Sequence, residues 1–522
     1  MTGATLVARR SPALVWMCVG IAVFVFAVGG LFELFMADDA FITFQYSKQI
    51  ARGSGFVFNP GERVLGTTTP LFALLGAVLY VAARLEMFLL ANYLSVLCVA
   101  LQGFFAWALF TRLGYGFWRW LALLLPVVNL PGSYEFLGQE TNFLAALLLG
   151  ALCLFLSDRR GLAGVALGLA CLTRYDAVLF AAGLVGLEAM RRRRIPWTTI
   201  AAATFVVLPW LAFATWYFGS PLPNTLAAKQ GLLPAGDYLL YTLRYIANFS
   251  LFGVRLDAEA FRVAATQRLL LFAVLFVTGL LSLGRRTLHA LVIPLHAAFL
   301  LIGYALIGAH VAHRWPFYPA VLFAQLTLVA GVAAISGGVS RLLAGRARRI
   351  IPLIVSAMLA IVLVISGGRE LVAWQRHYPK ASFVGERSRA KIALSRFLLQ
   401  NSPPGARVML AEIGQVGFLA DRGIVDEVGL ITPGTHYERR SEPRWRIELI
   451  EREKPDLVAW NRADPPVRNA TLAGAAEVDG RPAFHVWRLP WSVPGHEVSR
   501  EEEERIAWLN ALDERLRRQD LG

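Results

Sequence analysis

The chain reads PALVWMCVGIAVFVFAVGGLFELFMADDAFITFQY over residues 12–46. An apolar run from about 13 to 35 comes first, and the paired acids Asp38 and Asp39 follow it almost directly. Crossing a bilayer takes about 20 apolar residues, so this run is long enough to span one. Two arginines precede the run, and no small-residue cleavage pattern follows it. We therefore predict an uncleaved first transmembrane helix with two carboxylates at its far end.

The composition of the whole chain agrees with a membrane protein. Of 522 residues, 56% are hydrophobic and 17% are charged, whereas soluble domains average about 45–50% and about 25%. The predicted fold class is mainly α, a polytopic membrane protein with about 11 transmembrane helices. These are expected at about 13–35, 87–111, 120–137, 141–157, 161–173, 177–190, 197–218, 267–284, 288–309, 316–335 and 350–366.

The shorter run 70–83 leaves two interpretations open. We predict a juxtamembrane or partly inserted helix there, on the external side. A true span is the alternative, and it would place the later Arg112 and Arg119 outside.

The net charge of +15 is a topology signal rather than a nucleic-acid signal. Lysine and arginine in short loops mark the cytoplasmic side of a membrane protein. Here the basic clusters separate the apolar runs, and an odd number of spans then puts the N-terminus inside and the C-terminus outside. The clusters are Arg9, Arg10, Arg112, Arg119, Arg159, Arg160, Arg191 to Arg194, Arg285, Arg286, Arg341, Arg346, Arg348 and Arg349.

The chain divides into two parts by composition. Residues 1–368 hold the apolar runs and form the predicted transmembrane domain, whose first external loop is 36–69. Residues 369–522 hold most of the acids and form a predicted extracytoplasmic α/β domain. Strand-like stretches occur there at 407–411, 457–460 and 483–487, and a helix is predicted over about 499–516.

Asp38 and Asp39 are the candidate catalytic residues. A carboxylate at the membrane boundary is partly desolvated, which favours a raised pKa and a general-base role. The alternative is that the two acids cap the N-terminus of the following helix, where negative charge is favourable.

Further polar side chains fall on the same predicted external face. Ionisable groups at membrane depth are costly and are therefore candidates for function, and converging cations would suit a lipid-linked phosphate. For each arginine the alternative is contact with lipid headgroups. His310 and His313 could share a helix face and bind a metal, but no third ligand is evident. The candidates for donor phosphate or sugar binding are Lys48, Arg52, Glu140, Arg174, Asp176, Lys229, His313 and Arg314.

The sequence has no phosphate-cradling Gly-Lys-Ser/Thr loop and no dinucleotide glycine pattern. A nucleotide-dependent cytosolic enzyme is therefore disfavoured. Outside the cytoplasm, where nucleotide sugars are scarce, a sugar donor would have to be attached to a lipid.

Several motifs resemble bacterial GT-C glycosyltransferases. The most specific are DDAFITFQY at 38–46, GSGFVFNPGE at 53–62 and GTTTPL at 66–71. The nearest branch is the arabinofuranosyltransferase-like group, and protein mannosyltransferases and aminoarabinose transferases are more distant. Two positions depart from the pattern, since Gln139 replaces an expected Met and Tyr175 replaces a common Pro. The later matching motifs are GQET at 138–141, LTRYD at 172–176, GSPLPNT at 219–225, RWPFYP at 314–319, GQVGF at 414–418 and DEVGL at 426–430.

The resemblance implies a GT-C fold in the bacterial plasma membrane and an inverting sugar transfer on its outer face. The donor would be a polyprenyl-phosphate-linked sugar, and the acceptor a cell-envelope polysaccharide or lipid. Asp38 or Asp39 would be the base. Some GT-C enzymes use a divalent cation (Mg, Mn or Ca) near the acids of this loop, and here Asp39 would be its possible ligand. The cations for the leaving phosphate would be Arg174, Lys229 and Arg314, with Lys48 or Arg52 contributing, while Glu140 and Asp176 would orient sugar hydroxyls or fix the arginines.

A transporter or flippase of lipid-linked saccharides is the alternative function. Such a protein would show broken helices in repeated halves, and no repeat is evident in this sequence.

Overall fold

The membrane-facing part of the protein is an assembly of apolar helices. The computed structural model describes residues 12–30, 37–129, 137–228, 246, 261–306, 317–343, 345–381, 385–435, 444–492 and 496–521. The helices of this part are α1 Pro12–Gly29, α2 Asp38–Ala51, α3 Pro70–Ala83, α4 Met87–Arg112, α5 Trp118–Val128, α6 Thr141–Leu156, α7 Arg160–Thr173, α8 Ala177–Arg192, α9 Trp197–Phe218, α10 Asn224–Ala228, α11 Phe261–Arg286, α12 Val292–Leu306, α13 Tyr318–Arg341 and α14 Ala347–Ala381.

The predicted helices around the first hairpins agree closely with the structure. α4, α6, α7, α8 and α9 begin and end within two residues of the predicted limits. These limits were readable because charged residues, glycine or proline bound each apolar run. α11 and α14 extend beyond their predicted runs, because a helix continues into polar sequence when nothing there breaks it.

Four helical segments in the described part of the chain are long and apolar enough to cross a membrane. They are Pro70–Arg112, Trp197–Phe218, Leu288–Leu306 and Tyr318–Arg341. The first of them joins α3 to α4 through a 3-10 turn at Arg84–Glu86. The chain is thus a membrane protein by composition and helix length, while the count of about 11 spans stays a prediction.

The segment that follows α1 differs from the polar loop predicted over 36–69. Its first half is the helix α2, and Phe41, Phe44 and Tyr46 on it are buried. Asp38 and Asp39 occupy its first turn, where carboxylates favour a helix. The helix forms because its apolar side chains are covered on several sides by α3, α4 and the C-terminal part of the chain.

The C-terminal part contains a five-stranded mixed sheet with strand order β2-β1-β3-β5-β4. β1 pairs in parallel with β2 and β3, while β5 pairs antiparallel with β3 and β4. The predicted strand-like stretches fall on β1, β3 and β5. The strands are β1 Arg407–Leu410, β2 Gly423–Asp426, β3 Leu457–Trp460, β4 Thr471–Val478 and β5 Arg481–Arg488, and the helices are α15 Gly385–Asn401, α16 Ile413–Ala420, α17 Trp445–Glu453 and α18 Arg500–Leu521.

The sheet region is attached to the membrane helices through α16, which packs against α2. The ring of Phe418 on α16 meets Phe41 at 5.4 Å and Phe44 at 6.4 Å between centroids. Aromatic pairs at this separation add to the energy of burial. The C-terminal part therefore forms one wall of the region around the two acids.

Candidate functional site

The carboxylate of Asp38 is fixed at the start of α16. It accepts hydrogen bonds from the backbone N–H of Gln415 at 2.9 Å and of Gly414 at 3.3 Å. The first N–H groups of a helix have no partner within the helix, so a carboxylate placed there satisfies them. Asp38 therefore caps α16, which starts about 375 positions later in the chain. It also lies in the first turn of its own helix, α2.

A buried lysine completes the surroundings of Asp38. Lys391 Nζ lies 3.0 Å from Asp38 Oδ1 and 2.6 Å from Glu412 Oε2. Burial lowers the pKa of Lys391, but the two carboxylates outweigh burial and hold it above its ordinary value. Lys391 was missed in the sequence, where its only signal is a cation among the apolar residues of α15.

Asp39 differs from its neighbour in exposure. Asp38 is partly buried, whereas Asp39 is exposed. Successive residues of an α-helix point about 100° apart, so the two carboxylates of one turn face different surroundings. Asp39 is thus the more solvent-exposed of the two acids in the first turn of α2.

A second charged group, the Arg174 cluster, consists of Arg174, Glu140, Asp176 and Tyr304. The Arg174 guanidinium donates to Glu140 Oε1 at 2.9 Å, to Asp176 Oδ2 at 2.8 Å and to the Tyr304 hydroxyl at 3.1 Å. Tyr304 in turn donates to Asp176 Oδ2 at 2.7 Å. The planar guanidinium joins the ends of α6, α7 and α12 in one network.

Arg174 was predicted to face a phosphate. In the structure, the carboxylates of Glu140 and Asp176 compensate its charge. Its side chain is 8% exposed, and those of Glu140 and Asp176 are 9% and 12% exposed. A buried ion pair of this kind mainly fixes geometry. Tyr304 was missed because it is a single hydroxyl in an apolar run, a pattern that usually indicates only packing.

We predict that Tyr304→Phe loosens this network without breaking it. Removal of the hydroxyl leaves Asp176 with one hydrogen bond fewer, which should cost about 1–2 kcal/mol of unfolding free energy. Thermal unfolding of the detergent-solubilised full chain measures the effect. A variant as stable as the parent would mean that the hydroxyl contributes nothing to the cluster.

Lys48 and Arg52 of α2 meet the C-terminal part of the chain. Lys48 Nζ donates to the Phe418 carbonyl at 2.7 Å and to Asp421 Oδ1 at 2.8 Å, and Arg52 reaches Asp421 Oδ2 at 2.6 Å. Arg505 contacts the same carboxylate at 3.1 Å. We name these four charged residues, Lys48, Arg52, Asp421 and Arg505, the Asp421 cluster.

The Asp421 cluster shifts the pKa values of its members. Burial lowers the pKa of Lys48 to about 8, against the opposing attraction of Asp421. Burial alone would raise the pKa of Asp421, but Lys48, Arg505 and Arg52 hold it well below its ordinary value. Lys48 is fully buried, so in this arrangement it binds the C-terminal part rather than a ligand.

The remaining predicted site residues are Lys229, His313 and Arg314, together with His310. All four lie outside the described residues.

The motif-bearing loops converge beside α2. Asn224 donates to the carbonyls of Gly429 and Leu430 at 2.7 and 3.1 Å, and Thr225 donates to the Gly66 carbonyl at 2.7 Å. Gly66 N–H in turn donates to the Tyr46 hydroxyl at 2.7 Å. Four motifs from separate parts of the sequence therefore form one structural unit.

Gly138 lies close to Ala40, the residue that follows Asp39, and precedes Glu140 of the Arg174 cluster by two residues. It has a positive φ of 75°, and a Cβ there would lie 2.9 Å from Asn92 Oδ1 and 4.0 Å from Ala40 Cβ. Only glycine fits such a position without strain. Glu140, two residues on, and Asp39 thus lie at the same end of the helical assembly.

The described side chains offer few groupings that suit a metal ion. Within the described ranges, no three His, Cys, Asp or Glu side chains are grouped closely enough to hold a metal ion. Asp38 is a poor ligand in this arrangement because Lys391 places a positive charge 3.0 Å from it. The divalent cation near Asp39 that the resemblance allows therefore stays a prediction.

We predict that Gly414→Ala separates α16 from α2. A Cβ at Gly414 would lie 2.0 Å from the Asp38 carbonyl oxygen, so the two helices would have to move apart. Overpacking of this kind costs about 1–3 kcal/mol, measurable as a lower thermal unfolding temperature. Gly405→Ala is the matched control, since a Cβ there meets nothing within 4 Å. Equal unfolding temperatures for the two variants would contradict the close contact.

Two solved structures of one archaeal enzyme are similar in fold to this chain. A crystal structure of the Archaeoglobus fulgidus oligosaccharyltransferase, tethered to an acceptor peptide with an NVT sequon, aligns with a TM-score of 0.53 and 12% identity over 85% of this chain and 69% of that one. The apo form of the same enzyme aligns with a TM-score of 0.50 and 13% identity over the same shares. The chain thus has a fold like that of this archaeal GT-C enzyme.

Sequence comparison covers less of the chain. Residues 380–498 match the model of a domain of unknown function (DUF8728). No curated protein matches the sequence.

Proposed function

We propose that this protein is a membrane glycosyltransferase that moves a sugar from a polyprenyl-phosphate donor to a cell-envelope glycan or lipid. Two features support the proposal: the likeness of the fold to a GT-C oligosaccharyltransferase, and the double-aspartate motif at the start of α2. The main supporting observation is that the two acids have different surroundings. Asp38 is tied to α16 and Lys391, while Asp39 is exposed beside it at the same helix end as the Arg174 cluster.

In the proposed reaction Asp39 is the general base. Its carboxylate takes the proton of the acceptor hydroxyl as the hydroxyl oxygen attacks the anomeric carbon of the donor. The bond from that carbon to the phosphate oxygen breaks, and polyprenyl phosphate leaves with the electron pair. Attack from the opposite face inverts the anomeric configuration.

The other predicted site residues have supporting roles in this proposal. Asp38 is a positioning residue, because its bonds to α16 and Lys391 orient the first turn of α2. Glu140 and Asp176 hold Arg174 in place. Lys229, His313 and Arg314 are the proposed cations for the leaving phosphate, whose charge must be stabilised as it develops. Arg52 does not take this role, because it pairs with Asp421 and lies about 20 Å from Asp39 along α2.

The proposed orientation places the reaction on the outer face of a bacterial plasma membrane. The N-terminus is then cytoplasmic, and the sheet region in residues 369–522 is extracytoplasmic. Single cysteines at Arg192, Gly236 and Arg439 test this with a membrane-impermeant thiol reagent applied to intact cells. Only the cysteine at Arg192 should stay unlabelled; labelling of all three, or of that position alone, would overturn the orientation.

A transfer assay tests the function. The purified full chain is given radiolabelled polyprenyl-phosphate sugars together with membrane glycans, beginning with an arabinofuranose donor because of the sequence resemblance. Transfer of label to a glycan or lipid, with inverted linkage, is the expected result. Failure with every donor, combined with flipping of labelled lipid in vesicles, would favour the transporter alternative.

A further inference from the structure

A cavity of about 390 Å³ opens at the end of the helical assembly where α11 and α13 terminate. This volume falls within the range of small-molecule sites, roughly 300–1,000 Å³. Its polar lining consists mainly of Tyr115, Trp118, Ser282, Arg285, Arg286 and Arg341.

The cavity lies at the opposite end of the helices from the Arg174 cluster. α11 ends at Arg286, α12 then runs back to Tyr304, and α13 returns from Tyr318 to Arg341. Tyr304 belongs to the Arg174 cluster, whereas Arg286 and Arg341 line the cavity. The cavity is therefore separate from the proposed transfer site, and a ligand bound there is independent of the proposed sugar transfer.

One of the three arginines is held in place by the protein. Arg286 donates to the carbonyls of Leu113 and Gly114, and its guanidinium lies 4.6 Å from the centre of the Tyr115 ring. The Tyr115 hydroxyl is itself fixed at 2.9 Å from the Ser282 hydroxyl. The cation and the aromatic wall of the cavity are thus pre-organised.

The other two arginines leave the cavity strongly positive. Arg285 and Arg341 are exposed, and in the described part of the chain neither forms an ion pair with a carboxylate. The described residues that line the cavity include no acid. Three guanidinium groups around one opening favour an anion with several oxygen acceptors.

The walls beside the arginines are apolar. The α13 wall is made of small residues, Ala333, Ala334 and Gly337, which leave a groove between α11 and α13. Leu281, which lines the cavity, is 52% exposed. A ligand that fits both parts carries an anionic head and an apolar chain.

Close helix contacts make the groove a fixed feature. A Cβ at Gly279 would lie 1.9 Å from the Thr327 carbonyl oxygen, and one at Gly331 would lie 2.1 Å from the Leu275 carbonyl oxygen. Small residues of this kind let membrane helices approach closely. Beyond this contact, a Cβ at Gly337 meets nothing within 4 Å, so the groove opens there.

We infer that this cavity binds the phosphodiester headgroup of an anionic phospholipid, with an acyl chain in the groove between α11 and α13. Basic pockets between transmembrane helices recognise such headgroups at the cytoplasmic side of membranes. The exposed Phe117 and Trp120 at the adjoining helix start are placed as interfacial aromatic anchors. Inorganic phosphate shares the anionic chemistry but lacks the chain.

Native mass spectrometry of the detergent-solubilised full chain tests the site. The protein is titrated with phosphatidylglycerol, with phosphatidylcholine and with inorganic phosphate. We expect preferential retention of phosphatidylglycerol, and a loss of affinity on the order of tenfold or more in the variant Arg285→Gln/Arg341→Gln. Arg193→Gln/Arg194→Gln removes the same charge from exposed arginines outside the cavity and should bind as the parent does.

A pair of glycine variants tests the groove without changing charge. Gly337→Leu fills the open space beside the cavity and should exclude the lipid, while Gly338→Leu, outside the lining, should not. Thermal unfolding of all four variants checks that they remain folded. Equal retention of both lipids, equal affinity in the cavity and control variants, or phosphate binding without lipid preference would each overturn the inference.

Discussion

Asp39→Asn is expected to lower the kcat/KM of sugar transfer by about 10²–10⁴-fold, the contribution of a positioned general base. Asparagine keeps the size of the side chain but cannot accept the proton of the acceptor hydroxyl. Because Asp39 is exposed, solvent screens the contacts of its carboxylate, so its loss should lower the thermal unfolding temperature less than the loss of Asp38 does. Transfer of radiolabelled sugar, measured on protein of verified folding, gives the result.

Asp38→Asn is the matched control for this variant. Its carboxylate is engaged by Gln415, Gly414 and Lys391. A neutral amide would weaken these bonds and leave Lys391 less compensated, at a cost of about 1–3 kcal/mol of unfolding free energy. Asp38→Asn should thus lower stability more than Asp39→Asn does, whereas Asp39→Asn should lower transfer more. Full transfer by Asp39→Asn, with loss of transfer in a stable Asp38→Asn, would reverse the two roles.

The second large effect concerns the Asp421 cluster. Asp421→Asn should destabilise the protein by about 3–5 kcal/mol, because it leaves Lys48 buried with an uncompensated charge. Lys48 is fully buried and Asp421 is 23% exposed, so solvent screens the pair only weakly. Thermal or denaturant unfolding of the full chain in detergent measures the change.

Two further variants make this expectation specific. Lys48→Met combined with Asp421→Asn should recover part of the loss, since the buried charge is then gone. Glu514→Gln removes an exposed i,i+4 ion pair with Arg518 and should have no measurable effect. Asp421→Asn as stable as the parent would show that Lys48 finds other compensation.

The same cluster predicts how stability depends on pH. The folded pKa of Lys48 is about 8, below its ordinary value of about 10.4. Unfolding therefore takes up a proton between these values, and the unfolding free energy should rise with pH across that window. Asp421 affects stability in the acidic range. Because its pKa is lowered in the folded protein, it stabilises the fold above about pH 3.9, and this stability is lost as the pH falls further. Unfolding temperatures of the parent and of Lys48→Met, compared from pH 8 to 10, should differ in slope.

Much of the fold follows from patterns within short stretches. The ends of α4 and α9 were predictable because an apolar run must be helical in a membrane and ends where charges, glycine or proline begin. The α7–α8 hairpin, with Arg174 at its tip, followed from the same rule. The double aspartate also stood out locally, since two acids directly follow an apolar run.

Contacts between distant parts of the chain left no such pattern. The sequence indicated Lys48 and Arg174 as cations for a phosphate, because an ionisable residue near a membrane usually serves a ligand. The structure pairs Lys48 with Asp421, 373 positions away, and Arg174 with Glu140 and Asp176. Neither pairing could be read from the residues themselves.

By itself, the sequence determined a helical membrane protein and two carboxylates at the end of its first helix. Only the tertiary structure decided that these carboxylates differ, with Asp38 bound to α16 and Lys391 and Asp39 exposed. The physical reason is that helix formation depends on neighbours along the chain, whereas burial and ion pairing depend on which elements pack together. α16 reaches α2 through more than 360 intervening positions, so the partner of each acid is set by the fold.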